Sequence, residues 1–136
     1  MPAQTSINIV LGPIAPDARG FTLMHEHVLL AASRLYQSYP DLLGRGPEAR
    51  AIEALKRAKA AGIDTIVDAT TFDLGRPLLV AVSQASGVNI VNVTGWCLDV
   101  PRFLQGVGVD QMAREFVRDI REGFRGTNIR AGLLKC

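Results

Sequence analysis

The chain has 136 residues, 48% hydrophobic and 21% charged, with a formal net charge of +2, which is enough apolar material for one domain with a real core. Its 15 Lys and Arg are scattered among 13 Asp and Glu, so no nucleic-acid partner and no membrane surface is expected. The two cysteines, Cys97 and Cys136, form no spaced framework, which points to a reducing compartment rather than a disulfide scaffold.

In chain order, the opening MPAQTSINIVLGPIAPD has no basic start and no apolar run long enough for a signal peptide. No stretch approaches the ~20 apolar residues of a spanning helix. A soluble, cytoplasmic protein is expected, with residues 1–136 in one domain. FTLMHEHV (21–28) reads as the first strand, ending near His27. RLYQSYPDLLGRGP (34–47) reads as a packed, irregular loop. A helix is expected from Pro47, where Gly46-Pro47 makes a start signal. Ile52, Leu55 and Ala58 recur on one face, Arg50, Glu53, Lys56 and Arg57 face water, and Gly62 is the stop. IDTIVDATT (63–71) is a β-branched strand. GRPLLVAVSQASG (75–87) is a second helix, with Pro just inside its start and Gly87 after its end. VNIVNVTG (88–95) is a third strand, and WCLDVPRFLQGVG (96–108) a loop. The third helix runs from about Asp110, its expected N-cap, to Gly123. Its apolar stripe is Met112, Phe116, Ile120 and Phe124. IRAGLLKC (129–136) is the fourth strand.

Strands alternating with helices imply a parallel sheet with right-handed crossovers. A doubly wound dinucleotide sheet should show a glycine-rich turn after its first strand. Here that strand ends in His-Glu-His, and no G-x-G-x-x-G or Walker A pattern occurs. The pattern favours a parallel (β/α)₈ barrel. A barrel takes about 250 residues, so four strands and three helices amount to about half of one.

His25 and His27 are the only histidines in the chain. Residues i and i+2 share a face on a strand and diverge on a helix, so the helical H-E-x-x-H zinc pattern does not apply. Two imidazoles at the C-terminal end of a barrel strand are a ready ligand pair for zinc. The plain alternative is a pair of packed or surface histidines. On the last strand, Ala131, Leu133 and Lys135 share a face. A lysine enclosed there would favour its neutral amine, which can take up CO₂ as a carbamate. The alternative is that Lys135 reaches out to water, and spacing alone favours this.

GFTLMHEHV, AGIDTIVDATTFDLGR, NIVNVTGW and GTNIRAGLLKC, in this order and spacing, resemble segments of the phosphotriesterase family of the amidohydrolase superfamily. The resemblance implies a (β/α)₈ barrel with two divalent metal ions, zinc by default and cobalt, manganese or iron as alternatives. His25 and His27 match the pair on the more buried metal. Lys135 matches the carboxylated lysine that bridges both metals and serves catalysis. A bridging hydroxide would then attack phosphorus or a carbonyl carbon. The expected substrates are small-molecule phosphotriesters, esters or lactones.

The family's two further metal histidines and its aspartate lie past the region that matches residue 136. A fragment, inactive alone, is therefore expected, and its open strand edges favour association with a second copy as a homodimer. TTFDLGR resembles the triesterase form, and WCLDVPRF lacks the Tyr-rich character of lactonases. Leu74, Trp96, Cys97 and Leu98 are expected to line or border the pocket, with core or loop packing as an equal alternative. Asp73 and Arg76 are expected to hold their loop. Asp68 either orients a ligand or makes a structural hydrogen bond. Both cysteines are expected to be packing thiols. The contrasting readings are a non-catalytic or decayed relative and a doubly wound binding domain.

Overall fold

Ile7–Ile9 (β1) and Gly12–Ile14 (β2) form an antiparallel hairpin. Thr22–Glu26 (β3), Thr65–Asp68 (β4), Asn89–Gly95 (β5) and Leu133–Lys135 (β6) form one parallel sheet in that order. The computed structural model describes residues 5–30 and 33–136, with side chains from Tyr36 onward in the first helix. The helices are Ser33–Ser38 (α1), Pro40–Leu43 (α2), Pro47–Ala60 (α3), Val80–Ser86 (α4) and Val109–Arg121 (α5). This is the parallel half-barrel expected, with a hairpin added in front of it. Among the described residues no helix is long and apolar enough to cross a membrane.

Strand alternation sorts the core into two layers. Leu23, Ile66 and Ile90 point outward and pack with Ala51, Leu55, Leu79 and Val82 from α3 and α4. Val67, Val91 and Val93 point inward and pack with Ile9, Ile7 and Ile14 of the hairpin. The Val10 amide donates to Ile90 O at 2.8 Å and Asn8 Nδ2 to Ala131 O at 3.1 Å. The hairpin is thereby tied across β5 and the approach to β6.

The register of β3 against β4 shifts once. Leu23 pairs with Ile66, but Glu26 pairs with Asp68. Two residues, Met24 and His25, therefore stand opposite Val67, as in a bulge. Gly95 governs the other side of the sheet. Its φ is +109°, and a Cβ there would lie 1.7 Å from Lys135 O. Without that carbon, the Trp96 amide reaches Lys135 O at 3.1 Å.

Helix α3 keeps its expected start and faces, with Arg50, Glu53, Lys56 and Arg57 exposed. It ends at Ala60, and Gly62 follows at φ +95°. Other expectations need correction. The segment read as an irregular loop forms α1 and α2, and its Tyr39 is 57% exposed rather than packed. Helix α4 begins at Val80, three residues after Pro77, because Leu79 adopts a left-handed φ of 54°. Gly108, not Asp110, caps α5, and Asp110 lies within its first turn. The α5 stripe is only partly covered: Phe124 is buried, but Ile120 is 37% exposed. The last strand spans only Leu133–Lys135, since Ala131 and Gly132 bond to Asp119 O and Asn92 O before it begins.

Candidate metal centre

The three candidate ligands of the sequence, His25, His27 and Lys135, come together. His25 lies in β3 and His27 just past its end, both exposed. Their rings are 5.5 Å apart at 61°. Lys135 ends β6, at the opposite edge of the sheet, yet its Nζ lies 3.4 Å from His25 Nε2. Strands at opposite edges bring side chains this close only because the sheet curves. The shared face is the inner one. Thr22, Met24, Val67, Val91 and Leu133 line an inner cavity of about 280 Å³, and Lys135 follows Leu133 in alternation. Met24 and His25 thus both face inward, which the register shift permits.

Of the two readings of Lys135, the structure shows neither a full apolar enclosure nor a side chain wholly in water. It is half-buried, and its ammonium donates to Ala69 O at 3.2 Å. Leu133, beside it on the inner face, is 37% exposed.

His27 is held from behind. Its Nδ1 lies 2.9 Å from Thr70 Oγ1. Thr70, fully buried, donates its hydroxyl to Asp68 Oδ1 at 2.7 Å. The amides of Val28 and Thr70 also reach that oxygen, at 3.4 and 3.3 Å. Asp68 Oδ2 finds no partner among the described residues. Burial raises the Asp68 carboxyl above its ordinary value, against the opposing pull of the Thr70 and Val28 hydrogen bonds. The His27 imidazole is lowered, first by partial desolvation and then by the Lys135 charge. Sequence reasoning found Asp68 and missed Thr70. The available signal was a hydroxyl two residues after an aspartate at a strand end, a spacing that favours local side-chain bonding.

The loop after β4 is braced as expected. Asp73 Oδ2 accepts the Cys97 amide at 3.2 Å. Arg76 donates to Val93 O at 2.9 Å and stacks 3.6 Å over the Phe124 ring. Burial lowers the Arg76 pKa, opposed by Asp119 and Asp68. The expected pocket residues separate. Trp96 packs against Phe116 at 5.3 Å, Leu74 and Cys97 are half-buried, and Leu98 is 91% exposed with φ 63°. A cavity of about 680 Å³ is instead bordered by Phe72, Arg76, Phe103, Met112 and Phe116, between the β4 loop and α5. Cys136 is exposed rather than packed.

The donor set suits a borderline cation in part. Two imidazoles are good zinc ligands, but an unmodified lysine ammonium repels a cation and holds none. The set fits a metal pair only if Lys135 carries a carboxylate. Among the described residues no group of three or more His, Cys, Asp and Glu is placed to hold a metal.

Parallel strands with helices outside, and polar side chains gathered at the strands' C-terminal ends, define half of a (β/α)₈ barrel with its candidate site at the end where barrel active sites are built. The chain belongs to the phosphotriesterase family, whose model matches residues 5–136. It is 41% identical to a phosphotriesterase homology protein of Mycobacterium tuberculosis over 96% of this chain and 44% of that protein. It is 38% identical to an aryldialkylphosphatase of Saccharolobus solfataricus over 85% of this chain and 38% of that one. An N-acetyltaurine hydrolase of Xenopus tropicalis is 28% identical over 94% of this chain and 46% of that one. A solved phosphotriesterase structure from M. tuberculosis superposes with a TM-score of 0.83 at 39% identity, covering 97% of this chain and 45% of that one. The chain thus spans less than half the length of the relatives it matches.

Proposed function

We propose that this chain supplies one part of a two-metal hydrolase centre acting on small-molecule phosphotriesters, esters or lactones. The observation that carries the reading is the meeting of His25, His27 and Lys135 at the C-terminal ends of two opposite-edge strands, with Nζ 3.4 Å from Nε2. His25 and His27 would hold one divalent cation, zinc by default. Lys135, carboxylated, would be shared between two. Bound cations would supply a water of lowered pKa as nucleophile and a Lewis acid for the P=O or C=O oxygen. Asp73 and Arg76 keep the adjoining loop in place. Family membership and the aryldialkylphosphatase match support an ester or phosphoester substrate. An amide substrate is a second reading, supported by the N-acetyltaurine hydrolase match, and its 28% identity makes it the weaker one.

The test uses the 136-residue chain incubated with zinc and ¹³C-bicarbonate. Zinc content is read by mass spectrometry and the lysine carbamate by ¹³C NMR. Hydrolysis is followed on an aryl phosphotriester, a lactone and an N-acyl amine. Zinc retention lost in His25→Ala, and a carbamate signal lost in Lys135→Ala, are the expected results. Equal zinc retention in the wild type, His25→Ala and His27→Ala overturns the reading.

A further inference from the structure

We infer that Thr70 is the positioning residue for His27, holding the imidazole in the tautomer that leaves Nε2 free for a ligand. The inference rests on the metal reading above for its purpose, and on hydrogen-bond geometry for its content.

The direction of each bond follows from the count of hydrogens. Asp68 Oδ1 faces two backbone amides, Val28 N and Thr70 N. Facing two donors, that oxygen acts as an acceptor. The Thr70 hydroxyl, 2.7 Å away, therefore donates to it. A hydroxyl has one hydrogen, so Thr70 turns a lone pair toward His27. The ring nitrogen 2.9 Å away, Nδ1, must then carry the proton. In a neutral imidazole the other nitrogen is unprotonated. Nε2 of His27 is thus left as the donor atom, on the ring beside His25 and Lys135.

Thr70 is suited to this task because it cannot turn away. It is fully buried, and its own amide is bonded to the same carboxylate oxygen. Asp68 is likewise fully buried, fixed in β4 by its pairing to Glu26 and Asn92. The central strand thereby sets the ring state of a residue just past the end of an edge strand. Partners behind a metal-binding histidine commonly set ring orientation and tautomer, and losing one costs 10- to 100-fold in metal affinity.

The test compares Thr70→Val, which keeps the shape and deletes the hydroxyl, with Thr70→Ser, which keeps the hydroxyl. Histidine ring ¹⁵N spectra of the zinc-free chain report the tautomer directly. Only two rings contribute, and His25→Ala assigns them. The wild type and Thr70→Ser should show His27 protonated at Nδ1, while Thr70→Val should show a mixture or the Nε2-protonated form. Zinc affinity by chelator competition should fall about 10- to 100-fold in Thr70→Val and recover in Thr70→Ser. A wild-type His27 protonated at Nε2 overturns the inference, as does a Thr70→Val chain with unchanged tautomer. Unchanged zinc affinity in Thr70→Val, with affinity lost in His27→Ala, also overturns it and leaves the metal reading standing. Affinity unchanged in His27→Ala sinks the metal reading, and the ring spectra of the zinc-free chain then decide the role of Thr70 by themselves.

Discussion

In β4 and β5 every residue except Asn89 is buried, whereas every residue of β3 and β6 is exposed or half-buried. The central pair carries Ile66, Val67, Ile90, Val91 and Val93, which serve both core layers. The edge pair leads to His25, His27 and Lys135. Stability and the candidate ligands are thus held by different strands of one sheet, joined through Asp68–Thr70 on one side and Gly95 on the other. Mutations should therefore divide into two classes, with the joining residues falling in both.

Four changes test that division, the first of them the largest. Ile90 is fully buried in the outer core layer, so Ile90→Ala should cost about 2–5 kcal/mol, read by urea denaturation. A loss within experimental error would show that β5 is not the stabilising strand. Gly95→Ala comes next. Left-handed strain alone costs about 1–3 kcal/mol, and the new carbon must push β6 away. Lowered stability together with lost zinc retention is expected, and lowered stability with zinc retained would separate Gly95 from the site. His25→Ala should leave stability within about 0.5 kcal/mol of wild type, by the same denaturation, because the ring is exposed. A larger cost would make β3 a structural strand after all.

The smallest effect is electrostatic. The Lys59 ammonium, then the Phe21 amide, hold the Asp64 carboxyl below its ordinary value. A depressed folded value means that its stabilisation is full above the unfolded value and is lost as pH falls through the folded one. Lys59→Met should move the Asp64 midpoint upward in a ¹³C carboxyl titration. An unmoved midpoint would break the assignment. The pair is surface-exposed, so little change in melting is expected.

Much of this architecture was legible because it depends on local pattern. Apolar β-branched runs gave β4 and β5, and Pro47 with a periodic apolar face gave α3. The His-x-His and the terminal lysine were visible as residue types at strand ends. Other features depended on what only folding brings together. The hairpin was hidden because INI and GPI are too short to show alternation. The start of α4 was misplaced because Leu79 takes a conformation that its residue type does not announce. For Lys135 an apolar enclosure and an outward reach to water were both open, with spacing favouring water, and its chain position says nothing of Ala69 O. Thr70 was overlooked because its partner, His27, lies 43 residues away.

The shifted register in β3 has a wider meaning. Thr22 and Met24 line the inner cavity on one phase of the pleat, and His25 and His27 follow on the opposite phase. The additional residue opposite Val67 is the point where the phase inverts. The strand therefore behaves as two alternating codes spliced together, one written for packing and one that presents the candidate ligands. A deletion of Met24 would keep every histidine in the chain and every residue of the later strands. It would remove only the extra residue, leaving His25 alone opposite Val67 and both imidazoles on the inner face. What an alignment would score as a single missing methionine would be, in three dimensions, a straightened strand that keeps both rings and loses one side chain from the cavity wall.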